Sequence, residues 1–135
     1  PLEGFWWQQG LDGVDFSNKE TFEWISAIRL PGFVTPEVFT WAQSEAARKK
    51  GLDTSNAELI TADEGLCAQI MHLGSYDEEP ATIALLDDFI VSEGYALDMS
   101  NTPEGRHHHE IYLSDPRRTK PENLKTVIRH PIRKL

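Results

Sequence analysis

The chain alternates between period-two and helical patterns of apolar residues. Pro1 to Gln8 and Thr21 to Leu30 are rich in aromatic and β-branched residues and read as strands. In the second, Phe22, Trp24, Ser26 and Ile28 fall on one face, and Glu23, Ile25, Ala27 and Arg29 on the other. The turn Gln9-Gly10-Leu11-Asp12-Gly13 closes the first strand. A polar loop from Asp15 to Glu20 leads to the second, which predicts an antiparallel pair. Pro31-Gly32 breaks the pattern. Thr35-Pro36-Glu37 then opens a helix with a hydroxyl cap, a proline and an acid. That helix is expected to reach Lys50 and stop at Gly51. Arg48, Lys49 and Lys50 suit the negative end of its dipole. Phe39 and Trp41 are read as packing bulk on it.

Further on, Glu58 to Leu73 reads as strand material around a turn at Asp63-Glu64-Gly65. Pro80 to Glu93 carries a stripe of Ile83, Leu86 and Ile90 and is read as a second helix ending at Gly94. A loop from Asp98 to Gly105 precedes a strand from Arg106 to Ser114. A helical turn at Pro121 to Lys125 precedes a last strand from Thr126 to Ile132, where Pro131 restricts pairing. This mixture predicts an α+β fold.

The strand ending at Asp115-Pro116 holds the sharpest chemical signal. Ile111 and Leu113 point one way, and Glu110 and Tyr112 the other. A carboxylate buried without a partner costs several kcal/mol or takes up a proton. This face is therefore expected to line a cavity where a ligand meets the charge. The same alternation sets His108 beside Glu110, as a candidate proton shuttle, and leaves His107 and His109 opposite. Two histidines on one face do not complete a zinc site, so no metal is expected. Arg117 and Arg118 read as a salt-bridged turn.

Composition narrows the function classes. A net charge of −9 over 135 residues argues against nucleic-acid binding. No apolar run approaches a membrane span. The single cysteine, Cys67, allows no internal disulfide, which suits a cytoplasmic location, and it reads as a small core residue. The chain begins at Pro1 inside a strand pattern, so its natural start is expected upstream.

Four segments carry a resemblance: Pro1 to Trp7, Ile28 to Thr35, Met71 to Thr82, and His109 to Arg129. Together they resemble the GyrI-like small-molecule-binding family, most closely its stand-alone cyclopropanoid cyclopropyl hydrolases. These open DNA-alkylating natural products of the yatakemycin and CC-1065 type. The resemblance implies two strand–helix–strand–strand modules with antiparallel sheets. Here the first module lacks its first strand and helix, which either a missing N-terminal segment or a homodimer partner would supply. The implied division is a remainder of the first module at 1–34, a connecting helix and loop at 35–56, and a second module at 57–135. It implies catalytic roles for Glu110 and Tyr112. Trp6, Trp24, Tyr76 and His108 would bind the ligand in an aromatic cage. Strand alternation lets only one of Trp6 and Trp7 face a cleft, and the resemblance favours Trp6. No cofactor is implied, since water is the co-substrate. The partner would be a flat hydrophobic or cationic small molecule, with no direct nucleic acid and no membrane. A non-catalytic drug-binding or effector-sensing module and a gyrase-modulating protein are the alternatives.

Overall fold

The computed structural model describes residues 1–11 and 14–135, and the expected turn at Gln9 to Gly13 lies partly outside them. Two compact units are formed. Pro1–Arg29 with Glu64–Leu135 makes one, and Leu30–Asp63 makes the other.

The larger unit is an antiparallel sheet backed by a helix. Its strands are β1 (Leu2–Gln8), β2 (Phe22–Ile28), β3 (Cys67–Leu73), β4 (Tyr95–Leu97), β5 (His108–Tyr112) and β6 (Lys125–Lys134). The main order is β2-β1-β5-β6-β3, and β4 pairs with the end of β6. The expected β1–β2 pairing is present, with Trp6 opposite Trp24. β1 also pairs with β5, which sets Gly4 opposite Glu110 and Trp6 opposite His108.

Three departures from the sequence reading concern strands. Glu58 to Leu66 forms no strand, and pairing with β6 begins only at Cys67. Its apolar residues Leu59, Ile60 and Leu66 stay exposed, so hydrophobicity there does not build a sheet face. The three-residue β4 escaped notice because it is too short to show a period. β6 also runs through Pro131 rather than stopping near it. Pro131 falls between the β5 partner of β6, which ends at Arg129, and the β4 partner, which starts at Ile132. No ladder bond from its missing N–H is needed at that junction.

The helix of this unit, α2 (Glu79–Ser92), follows a 3-10 turn at Tyr76–Glu78. The Glu78 carboxylate accepts bonds from the Ser75 backbone N–H at 2.9 Å and hydroxyl at 2.8 Å, which fixes this corner. Gly74 has φ +135°, and a Cβ there would lie 2.8 Å from the Glu78 carboxylate, so glycine is required. α2 lays Ile83, Leu86 and Ile90 against Ile128 and Ile132 of β6. Burying each such side chain contributes about 1.5–3 kcal/mol.

In the smaller unit, α1 (Pro36–Lys50) begins at Thr35, whose hydroxyl accepts from the Val38 N–H, and ends at Gly51 with φ 63°. No residue of α1 is buried, and Trp41 is 64% exposed. The expectation that Trp41 packs is therefore not met.

Candidate functional site

One face of the larger unit holds a cleft of about 1310 Å³. Its strand residues come from alternate positions of β1, β2 and β5, so the pleat itself decides which side chains enter. From β5 come His108, Glu110 and Tyr112; from β1, Gly4 and Trp6; from β2, Trp24. Tyr76 and Glu79 enter from the turn before α2 and from its first residue.

Aromatic rings form the walls. Trp6 and Trp24 stack with centroids 5.6 Å apart at 27°. Tyr76 meets Tyr112 edge-on at 6.0 Å. Trp24 is 59% exposed, which leaves a flat face open to a ligand. Trp7 points to the opposite side, is buried, and donates its indole N–H to Glu23 at 2.9 Å.

The floor is polar and tightly bonded. Tyr112 donates its hydroxyl to Glu110 Oε2 at 2.6 Å, and Trp6 Nε1 donates to the Tyr112 oxygen at 3.0 Å. His108 Nε2 meets Glu110 Oε1 at 2.8 Å. Gly4 lies under this cluster because a Cβ there would come 2.5 Å from Trp6 Nε1 and 2.9 Å from the Tyr112 oxygen. Burial pushes the Glu110 carboxyl up, but bonds from His108 and Tyr112 outweigh it and hold the group below its ordinary value. Burial, together with the charge of Glu110, pushes the Tyr112 phenol up, so it remains a donor at any ordinary pH.

A second carboxyl joins Glu110. Glu79 is 6% exposed, and its Oε1 has no hydrogen-bond partner among the described residues. Burial and the nearby charge of Glu110 push Glu79 from 4.5 up to about 8. At neutral pH it carries a proton and faces an ionised neighbour. Two carboxyls held apart in this way divide the roles of proton donor and base.

All six candidate residues, Glu110, Tyr112, Trp6, Trp24, Tyr76 and His108, thus line the same cleft. Sequence reasoning missed Glu79, which precedes the helix predicted from Pro80 and is the first residue of α2. The signal was present, however: Glu79 lies four residues before Ile83, on the buried stripe of α2. Reasoning also missed His130 and Asp87, which continue the bonded chain behind His108. Cys67 lies outside the cleft lining, and burial pushes its thiol up, away from nucleophilic use. Among the described residues no group of three or more His, Cys, Asp and Glu side chains is arranged to hold a metal ion. No helix among them is long and apolar enough to cross a membrane.

Solved structures with similar sequences share this fold. A crystal structure of an uncharacterized conserved protein from Listeria innocua shares 43% identity with a TM-score of 0.89, over 98% of this chain and 63% of that one. A hydrolase from the same organism shares 41% identity with a TM-score of 0.83, over 98% and 62%. A further Listeria innocua hydrolase shares 42% identity with a TM-score of 0.84, over 98% and 63%. This chain therefore spans a little over three fifths of those proteins. No curated protein matches it at a significant level. Residues 20–133 match the model of the GyrI-like small molecule binding domain, and the chain belongs to that family.

Proposed function

We propose that this domain binds flat, hydrophobic xenobiotics between its tryptophan walls and hydrolyses the cyclopropane of DNA-alkylating cyclopropanoids. The observation that carries this reading is the Glu110 carboxyl, bonded to His108 and Tyr112 on the floor of an aromatic cleft, with the buried Glu79 carboxyl beside it. The two Listeria innocua hydrolases, at 41% and 42% identity, support a hydrolytic use of the fold.

In this reaction Glu110 takes a proton from water as the water oxygen bonds to the cyclopropane carbon. The ring C–C bond breaks, and its electron pair passes through the conjugated dienone to the carbonyl oxygen. That oxygen becomes a phenolate and takes up one proton, Glu110 gives up one, and the sum is addition of one water. Tyr112 is committed to Glu110 at 2.6 Å, which leaves Tyr76 as the phenol free to stabilise the developing oxyanion. The tryptophans hold the flat ring system by stacking.

The test is mass spectrometry of a cyclopropanoid alkylator incubated with and without the protein. Protein-dependent gain of one water is expected. An unchanged compound that nevertheless quenches tryptophan fluorescence would replace the hydrolase reading with a binding module.

A further inference from the structure

Behind Glu110 a line of hydrogen bonds runs away from the cleft and across to the helix. Glu110 Oε1 meets His108 Nε2 at 2.8 Å, His108 Nδ1 meets His130 Nε2 at 2.7 Å, and His130 Nδ1 meets Asp87 Oδ1 at 2.8 Å. Three elements supply the members. β5 gives Glu110 and His108, β6 gives His130, and α2 gives Asp87. The two rings are almost wholly enclosed, at 4% and 1% exposure, and the Asp87 side chain is 34% exposed.

Counting hydrogens shows what this line requires. Three links need three bridging protons. Two neutral imidazoles bring one each, and ionised carboxylates bring none. One further proton must therefore be shared among the four groups. With that proton at the Asp87 end, His108 Nε2–H donates to an ionised Glu110, and His130 Nε2–H donates to His108 Nδ1. Moving each bridging proton across its own bond puts a proton on Glu110 and leaves every link intact. A buried line of this kind fixes the number of protons it holds, because any other count leaves a link without its bridging proton or with two.

We propose that His108, His130 and Asp87 are positioning residues that share one proton with Glu110 and set its charge from behind the cleft. This rests on the reading of Glu110 as the base, but the line itself is independent of which ligand binds. Other titratable groups meet it at the cleft end. Tyr112 donates to Glu110 from β5, Glu79 stands beside it from the start of α2, and Tyr76 lies across the cleft. Lys19 reaches this end through its charge on Glu79. Around His108 itself the titratable neighbours are Glu110, His130 and Asp87. Burial disfavours the charged form of His108.

The experiment is nitrogen-15 NMR of the full chain labelled at histidine, without ligand. His108 and His130 are each expected to show one protonated and one accepting nitrogen. Their resonances should move with a common inflection as pH changes. Asp87→Asn offers an amide that can donate to His130 Nδ1, so three links close without the shared proton. In this variant the common inflection should be lost and the resonances of His108, two residues away along the line, should shift. Glu110→Gln tests the same coupling from the other end by moving His130, and serves if Asp87→Asn does not fold. Independent titration of the two rings, or a His108 signal indifferent to Asp87→Asn and a His130 signal indifferent to Glu110→Gln, would overturn the proposal. Because this readout needs no turnover, failure of cyclopropanoid hydrolysis leaves it standing. Conversely, uncoupled rings in a protein that hydrolyses the drug would remove only the shared proton. Where hydrolysis is present, the acid limb of its pH profile should move in Asp87→Asn.

Discussion

Adjacent histidines on the two faces of β5 meet carboxylates in different settings. His109 lies between Glu3 at 2.8 Å and Glu64 at 2.6 Å, stacked on Phe5 with ring centroids 4.1 Å apart. Arg129 adds a second bond to Glu64 at 2.6 Å. The Glu3 and Glu64 carboxylates are each tied to His109, and Glu64 also to Arg129, so the network is closed by bonds among its own members. On the other face, Glu110 and Asp87 meet two buried imidazoles, and Glu79 stands beside Glu110 with one oxygen unpartnered among the described residues. The same residue types make a self-contained network on one face and a line that ends at the cleft on the other. Exposure to the cleft makes the difference, and chemical identity does not.

The sharpest way to break this comparison is a matched pair of neutral substitutions. Glu110→Gln should lower turnover of a cyclopropanoid by about 10²–10⁴-fold, the range for a lost general base, with affinity largely kept. Glu64→Gln, on the closed face, should leave turnover unchanged. Equal turnover in the two variants would erase the functional distinction between the faces.

Stability should show the reverse order. His109→Gln leaves two carboxylates short of a donor and should cost about 1–3 kcal/mol in urea unfolding. His107→Gln should cost less, because the His107 ring meets a neutral backbone carbonyl, that of Thr102 at 2.7 Å, rather than two carboxylates. A His109 variant as stable as the parent would show that the closed network contributes only packing.

A smaller effect is expected at Gly4. Alanine there places a Cβ 2.5 Å from Trp6 Nε1, which must move and break its bond to Tyr112. Loss of one such bond is worth about 0.5–1.5 kcal/mol, or roughly 2–12-fold in ligand affinity by fluorescence quenching. Unchanged affinity would mean that the wall does not depend on that bond.

The finest test is the pH dependence of stability. Glu79 has its carboxyl raised to about 8 in the folded state from an ordinary 4.5. The folded protein therefore holds the extra proton between these values. Stability carried by Glu79 is fully present below about 4.5 and is lost as pH rises toward about 8. Glu110, held low, acts oppositely: its contribution is present above the ordinary carboxylate range and fades as pH falls. Thermal unfolding of Glu79→Gln should lack the decline expected of the parent between pH of about 4.5 and about 8. A parallel decline in both proteins would assign it to another group.

Much of the site was legible because a strand's period fixes which side chains share a face. His108, Glu110 and Tyr112 needed only alternation; alternation also separated Trp6 from Trp7, and the family resemblance chose Trp6 for the cleft. The helix caps at Thr35 and Gly51 were equally local, since both depend on bonds within a few residues. Glu58 to Leu66 misled because apolar content was read as strand without a partner to pair with. Glu79 was hidden by a rule that places acids at helix starts in solvent, although its spacing from Ile83 marked the buried stripe.

By itself the sequence determined the α+β class, the face of each strand residue and the presence of a charged aromatic surface. These follow from local periodicity and backbone preference. The tertiary structure alone decided that Glu79 stands beside Glu110, and that His130 and Asp87 close a line behind His108. Those contacts join residues 22 and 43 positions apart, across β5, β6 and α2. Only the packing of helix on sheet brings such distant groups within hydrogen-bonding reach, and only burial there gives their protons a function.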